Sequence, residues 1–313
     1  MTKHYSARTE QSYVRWIERF LRFHRDEAGT WTHPREMSAE HVESFLTYLA
    51  VRRRVAASTQ NQALNAVVFL FRDVVKKDIG EFDAVRAKRP IRLPTVLSQQ
   101  EVRRVLAAME MGSMHALMAR LLYGSGLRLM ECCTLRVMDA DLERGQIVVR
   151  SGKGNKDRVT MLPVRLRTPI CEQIQRVTQR HAIDVRQGRG WVQVPDSVEH
   201  KRPSAPKELG WQFLFPSRRC VKDVGTGRWQ RWYVHPSTLS RAVKQAAIDA
   251  GVAKRVTCHT FRHSFATHLL EGGCDIRTVQ ELLGHKDVQT TMIYTHVMKQ
   301  PGVGARSPLD ALA

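Results

Sequence analysis

Four dispersed basic segments and one tyrosine are the parts of this sequence able to do chemistry. Guanidinium groups hold oxyanions through planar, bidentate donor forks. Imidazoles titrate near neutral pH, and a tyrosine can supply an attacking oxygen. The first segment, GSGLRLMECCTLR, sets Arg128 just after a Gly turn with Glu131 on the same helical face. Alone, that spacing is an ordinary solvated ion pair. The second, RSGKGNKDRVT, places Lys153 among glycines that permit close approach of the backbone to a ligand, and alone reads as a flexible turn. The third, HTFRHSFATHLL, puts His259 and Arg262 one helical turn apart, with Phe261, Phe265, Leu269 and Leu270 free to occupy a buried side. His263 and His268 have no such pairing. In the fourth, LLGHKDVQTTMIYTH, His285 follows Gly284 at a helix end and Tyr294 stands nine residues later. An isolated tyrosine there ordinarily packs through its ring.

The chain that must position these residues has 313 residues, enough for two domains that each bury a core without disulfide or metal. Fifty Lys and Arg against thirty Asp and Glu give a net charge of +20, so nucleic acid is the expected partner. Six scattered cysteines form no CxxC pair and no zinc-ligand set, and read as reduced thiols of a cytoplasmic protein. No run approaches the roughly 20 apolar residues of a membrane span, and MTKHYSARTE lacks the apolar core of a secretory signal.

Helical spacing runs through TEQSYVRWIERFLRFH, where Tyr13, Trp16, Ile17, Phe20, Leu21 and Phe23 form one stripe. It returns in SAEHVESFLTYLAVRR, capped near Ser38, and in STQNQALNAVVFLFRDVVKK. Residues 1–84 are therefore expected to be a small all-helical domain, and 85–96, containing AKRPIRLPTV, a basic linker in which two prolines stop helix continuation. Residues 97–313 are expected to mix helices with a short sheet. Helices resume at SQQEVRRVLAAME and MHALMARLLYGSG, GQIVVRSGKGNKDRVTMLP alternates as a β-hairpin, and helical spacing returns from Pro236 onward.

In order and local context, Arg128, Lys153, the His259 and Arg262 pair, His285 and Tyr294 resemble the active-site set of tyrosine recombinases, the phage integrase-like family. The resemblance covers nearly the whole chain. It implies a mainly α fold with a small β-sheet, in which a helical, SAM-like core-binding domain and a mixed α/β catalytic domain close around DNA. It also implies a site-specific recombinase that cleaves and rejoins DNA through a 3′-phosphotyrosine. Phosphoryl transfer is catalysed mostly by positioning and electrostatic stabilisation. Arg128 and Arg262 would grip the nonbridging oxygens, with His285 as a further donor. Tyr294 would be the nucleophile, Lys153 the proton donor to the leaving 5′-oxygen, and His259 the partner of the tyrosine proton. Glu131 would orient a catalytic base or Arg128. No metal or nucleotide cofactor is required, and strand exchange implies a homotetramer on DNA.

Residues of about 184–231 lengthen the connection to the His259 segment. Together with the flanking Trp232 and Tyr233 they interleave Trp191, Trp211, Phe213, Phe215 and Trp229 with many basic residues. That pattern suits stacking on unpaired bases, although Trp211, Phe213 and Phe215 in alternation also fit a buried strand. The stretch VPDSVE…GWQFLFPS, the ending RSPLDAL, LLYGSGLRLME and DIRTVQELLGH resemble integron integrases, which recombine gene cassettes at attI and attC sites and take attC as a folded single-stranded hairpin. Many members of that subfamily carry Asp-Pro and His-His after the FPS turn, where this chain has Asp223-Val224 and Trp232-Tyr233. Trp191, Trp211, Trp229, Trp232, Tyr233, the Arg52–Arg53–Arg54 run, and Lys88, Arg89 and Arg92 are the expected DNA contacts. Two rival readings are a recombinase of duplex sites or type IB topoisomerase, and an inactive architectural DNA-binding protein.

Overall fold

The computed structural model describes residues 7–78, 93–150, 157–285 and 287–298. Lys88, Arg89, Arg92 and Lys153 lie outside them. The chain divides into two compact units, Met1–Arg92 and Leu93–Ala313. None of the described helices is long and apolar enough to cross a membrane, and no cluster of potential metal ligands occurs among the described residues. All six cysteines are free thiols.

The first unit is helical: α1 (Ala7–Ala28), α2 (Ala39–Thr47) and α3 (Ala57–Phe69). Its apolar stripe drives the fold. Phe20 of α1 is fully buried and meets Phe45 and Phe71 edge-on at 5.4 and 6.0 Å between ring centroids. Each such pair contributes about 0.5–1.5 kcal/mol beyond area burial. At the start of α2, the Ser38 N–H donates to Nδ1 of His41 (3.1 Å), satisfying a donor that the helix leaves over. The second and third helices differ from the sequence expectation at their C-terminal ends. Both wind into π-helical turns, Tyr48–Arg52 and Leu70–Val75, and the second closes on Lys76 in the left-handed region (φ 58°).

The second unit carries α4 (Gln99–Ala107), α5 (Met114–Gly124) and α6 (Leu129–Cys133), then a three-stranded antiparallel sheet of β1 (Ala140–Asp141), β2 (Gln146–Val149) and β3 (Arg158–Met161), in that order. Ser98 and Glu101 cap α4 reciprocally: Ser98 N–H donates to Glu101 Oε2 (2.7 Å) and Glu101 N–H to Ser98 Oγ (3.1 Å). The expected hairpin is β2–β3, with Val149 opposite Arg158. There follow α7 (Arg167–Arg186), α8 (Asp196–Lys201), the hairpin β4 (Pro216–Lys222) and β5 (Trp229–Tyr233), and then α9 (Pro236–Asp249), α10 (Cys258–Glu271), α11 (Ile276–Leu283) and α12 (Gln289–Met298). Leu121, Leu122 and Leu127 pack with Phe215, Leu239 and Phe261 in the main core.

Trp211–Phe215 is not a strand. Trp211 closes a short 3-10 turn, and Gln212, Phe213, Leu214 and Phe215 are buried without alternation. Backbone bonds from Leu214 N–H to Leu135 O (2.7 Å) and from Val137 N–H to Gln212 O (3.0 Å) hold the segment singly, where a strand would form a ladder. The pleated structure begins one residue later, in β4.

Candidate active site

The site is assembled from α6, β3, α10 and the α11–α12 region, all within the second unit. Gly126, in the left-handed region (φ 62°), turns the chain from α5 toward α6; a Cβ there would lie 2.5 Å from the Phe265 ring. That turn makes Arg128 the N-cap of α6 and puts Glu131 in its first turn. Gly284, also left-handed (φ 61°), ends α11 and delivers His285; a Cβ there would lie 2.7 Å from Cδ of Arg158.

Glu131 is the hub. Its side chain is 10% exposed and accepts from Arg128 Nη1 (2.6 Å), the Arg128 backbone N–H (2.8 Å), Arg158 Nη1 (2.8 Å) and Arg158 Nη2 (2.6 Å). Arg262 Nη1 stands 3.8 Å away. Burial opposes ionisation of Glu131, but the bonds and charge of Arg158, then the Arg128 backbone and side chain, outweigh it and lower the carboxyl to about 2. Three guanidiniums thus share one carboxylate, leaving a surplus of positive charge in a largely buried pocket.

Arg262, 3% exposed, is fixed by the Gly126 and Leu283 carbonyls (2.5 Å each) and donates from Nη2 to Nε2 of His285 (3.2 Å). Arg128 also reaches the Gly284 carbonyl (3.3 Å). Burial, then the Arg128 charge, lowers Arg262 to about 9; burial, then Arg262, Arg128 and Arg158, lowers His285 to about 3. His285 is therefore neutral, and its Nδ1 lies 2.9 Å from Thr291 Oγ1.

Tyr294 is 3% exposed, its ring near-parallel to His285 at 6.3 Å. Burial raises its hydroxyl pKa, against the pull of Arg262 and Arg128. The hydroxyl lies 3.0 Å from Nδ1 of His263. The sequence reading left His263 unpaired and looked to His259 for the tyrosine proton; the hydrogen-bond partner of the hydroxyl in this structure is His263. His259, on the first turn of α10, is exposed. His268 is paired as well, its Nδ1 2.8 Å from the Tyr123 hydroxyl. Arg158 and His263 are thus the site residues that motif reading missed. A signal for Arg158 existed: in β3 the polar Arg158 and Thr160 turn inward, while Val159 and Met161 face solvent.

Of the expected DNA contacts, Arg52, Arg53 and Arg54 are exposed at the end of the α2 π-turn. Trp191 is half-buried, with Lys207 Nζ 4.4 Å and Arg228 Cζ 4.1 Å from its ring centroid. Trp211 and Phe213 lie beside the Arg136 guanidinium (5.2 and 4.7 Å), and Tyr233 packs edge-on against Phe213 (5.2 Å) and Trp232 (6.0 Å). Trp229 is 41% exposed on β5, and Val224, at the β4–β5 turn, is fully exposed. Arg218, Arg219 and Lys222 are exposed on the same hairpin.

The family model of the phage integrase family matches residues 95–300, and that of the phage integrase N-terminal SAM-like domain matches residues 1–81. An integrase/recombinase of Escherichia coli is 46% identical over 310 residues, spanning 99% of this chain and 90% of its own. Tyrosine recombinase XerA of Thermococcus kodakarensis is 35% identical over 296 residues, 93% of this chain and 86% of its own. In fold the chain is similar to XerH site-specific recombinase bound to a palindromic difH substrate (TM-score 0.62, 21% identity, 93% of this chain and 76% of that one). It is also similar to the Tn1549 transposon integrase in complex with transposon right end DNA (TM-score 0.61, 16% identity, 98% and 92%). The chain belongs to the phage integrase family and is a tyrosine site-specific recombinase.

Proposed function

We propose that Tyr294 attacks a scissile phosphate held by Arg128 and Arg262, forming a 3′-phosphotyrosine that later rejoins DNA without an external energy source. The observation that carries this reading is the cluster of three guanidiniums on Glu131, whose surplus charge suits an equatorial phosphoryl oxyanion, with the Tyr294 ring stacked on His285, which Arg262 bonds. His285 turns to donate to the phosphate once Arg262 is engaged by it, and His259, exposed at the first turn of α10, adds a donor. Glu131 aligns Arg128. Lys153 protonates the departing 5′-oxygen. The mechanism calls for no cofactor. In a nicked suicide substrate the wild-type protein is expected to trap covalent DNA and Tyr294→Phe none; an adduct with the phenylalanine variant would reject the nucleophile.

The substrate we assign is the integron pair attI and attC, with attC bound as a folded single-stranded hairpin by a homotetramer. The exposed Trp229 among Arg218, Arg219 and Lys222 on β4–β5 supports this, because aromatic faces beside cations suit extrahelical bases. Trp191, Trp211, Trp232 and Tyr233 support the hairpin that presents it. In this reading residues 1–84 form the DNA clamp, with Arg52, Arg53 and Arg54 on phosphates, and Lys88, Arg89 and Arg92 of the 85–96 linker follow the backbone. Binding a folded bottom-strand hairpin no more tightly than its duplex at matched salt would count against the assignment.

A further inference from the structure

Resting on that reading of Tyr294, we infer that His263 is a catalytic residue, which holds the Tyr294 hydroxyl at the guanidinium cluster and takes its proton as the oxygen attacks phosphorus. The hydroxyl needs a base from the protein. Tyr294 is 3% exposed, so little of it meets bulk water, and burial disfavours its spontaneous ionisation. Among the described residues, His263 Nδ1, at 3.0 Å, is its hydrogen-bond partner.

The other imidazoles of the site are otherwise placed. His285 accepts from Arg262 at Nε2 and faces Thr291 with Nδ1, so neither nitrogen is directed at the hydroxyl. His259 is exposed on the first turn of α10. His263 is neutral, since burial, then the neighbouring His259 and Arg262, lower it to about 4; in the tautomer that carries its proton on Nε2, Nδ1 accepts from the hydroxyl. That acceptor is a weak base in the DNA-free protein. A phosphate seated on Arg128 and Arg262 brings negative charge to the same pocket, which offsets the positive neighbours and strengthens His263 as an acceptor when attack begins. Because Arg262 and His263 are consecutive on α10, the group that grips the phosphate and the group that aims the nucleophile share one rigid element.

The proton balance is complete. The Tyr294 O–H bond breaks and its proton passes to His263 Nδ1, while the oxygen lone pair forms the bond to phosphorus. The bond from phosphorus to the 5′-oxygen then breaks, and that oxygen takes a proton from Lys153. Rejoining runs the same transfers backwards, with the imidazolium of His263 returning its proton to Tyr294.

The test follows covalent-adduct formation on a nicked suicide substrate whose scissile 5′-oxygen is replaced by sulfur, a leaving group that needs no proton. His263→Ala is expected to slow adduct formation at least about 100-fold, the usual scale of a lost general base, while DNA binding and thermal unfolding stay near wild type. His263→Asn keeps a hydrogen-bond acceptor near the Nδ1 position but cannot take the proton, and is expected to stay slow. Added imidazole is expected to restore the alanine variant, with rescue rising with the basicity of substituted imidazoles at fixed pH. Adduct formation by His263→Ala at or above the wild-type rate, full activity of His263→Asn, or no response to imidazole would each overturn the role. A wild-type protein that forms no adduct would reject the reading of Tyr294 itself.

Discussion

Arg158 and Glu131 meet at two points, Nη1 to Oε1 at 2.8 Å and Nη2 to Oε2 at 2.6 Å, in a pair about nine-tenths buried on both sides. The same guanidinium donates from Nε to the Leu282 carbonyl (3.0 Å), so one side chain ties β3 to α6 and to the end of α11. An arginine in this position acts as a strut for the pocket around Glu131.

Removing one partner of a buried pair strands the other. Arg158→Gln is therefore expected to cost about 3–5 kcal/mol in urea unfolding and to weaken strand cleavage by loosening Arg128. Arg158→Lys is expected to regain less than half of the loss, because an ammonium cannot make the two-point contact. Full recovery by lysine would show that charge alone matters.

Acid is expected to destabilise the second unit in two windows. His285 at about 3 and His263 at about 4 lie below the ordinary 6.5, so on acidification the unfolded chain binds protons first, and stability falls as pH drops from 6.5 toward those values. Glu131, at about 2 against an ordinary 4.5, contributes stability that is present above 4.5 and lost as pH falls toward 2. Its shift corresponds to about 3 kcal/mol. In melting curves, His285→Asn is expected to flatten the upper window and Glu131→Gln the lower. An unchanged slope between pH 6.5 and 5 in His285→Asn would remove His285 from this account.

Gly126→Ala strains a left-handed residue and pushes a methyl group into the Phe265 ring. The expected loss exceeds about 1 kcal/mol, and cleavage should suffer further because the Gly126 carbonyl holds Arg262. Melting temperature and adduct rate, measured together, check both parts.

On the β4–β5 hairpin, Trp229 and Trp191 should separate. Trp229→Ala is expected to weaken binding of a folded hairpin about tenfold, within the usual worth of one stacked base, and to leave melting unchanged. Trp191→Ala removes a ring flanked by Lys207 and Arg228, and is expected to lower the melting temperature. The opposite pattern in equilibrium binding and melting would reassign the two rings.

Sequence periodicity was informative where one face of an element meets a core. The Trp16 and Phe20 stripe of α1 and the alternation around Ile147 and Val149 of β2 are visible in the chain because burial there follows the helix and strand repeats. It misled where packing or chemistry replaces that rule. Gln212 through Leu214 are buried on successive residues, so the apparent alternation of Trp211, Phe213 and Phe215 carried no strand. The Arg128 and Glu131 spacing reads as a surface pair until Arg158, twenty-seven residues later than Glu131, is brought onto the same carboxylate. His263 escaped notice because its partner lies thirty-one residues away on another helix.

The inward face of β3 holds an arginine and a threonine, and its apolar side chains, Val159 and Met161, point outward. A strand built this way has little hydrophobic anchoring to fix its alignment, since a slip by one residue would bury the greasier face. What locks the alignment is the Arg158 salt link, together with the buried bond from the Thr160 hydroxyl to the Ser125 carbonyl (2.9 Å). The residues that gather the guanidiniums around Glu131 therefore also serve as the registration mark of the sheet, and a chain disabled at Glu131 loses a ruler as well as a charge.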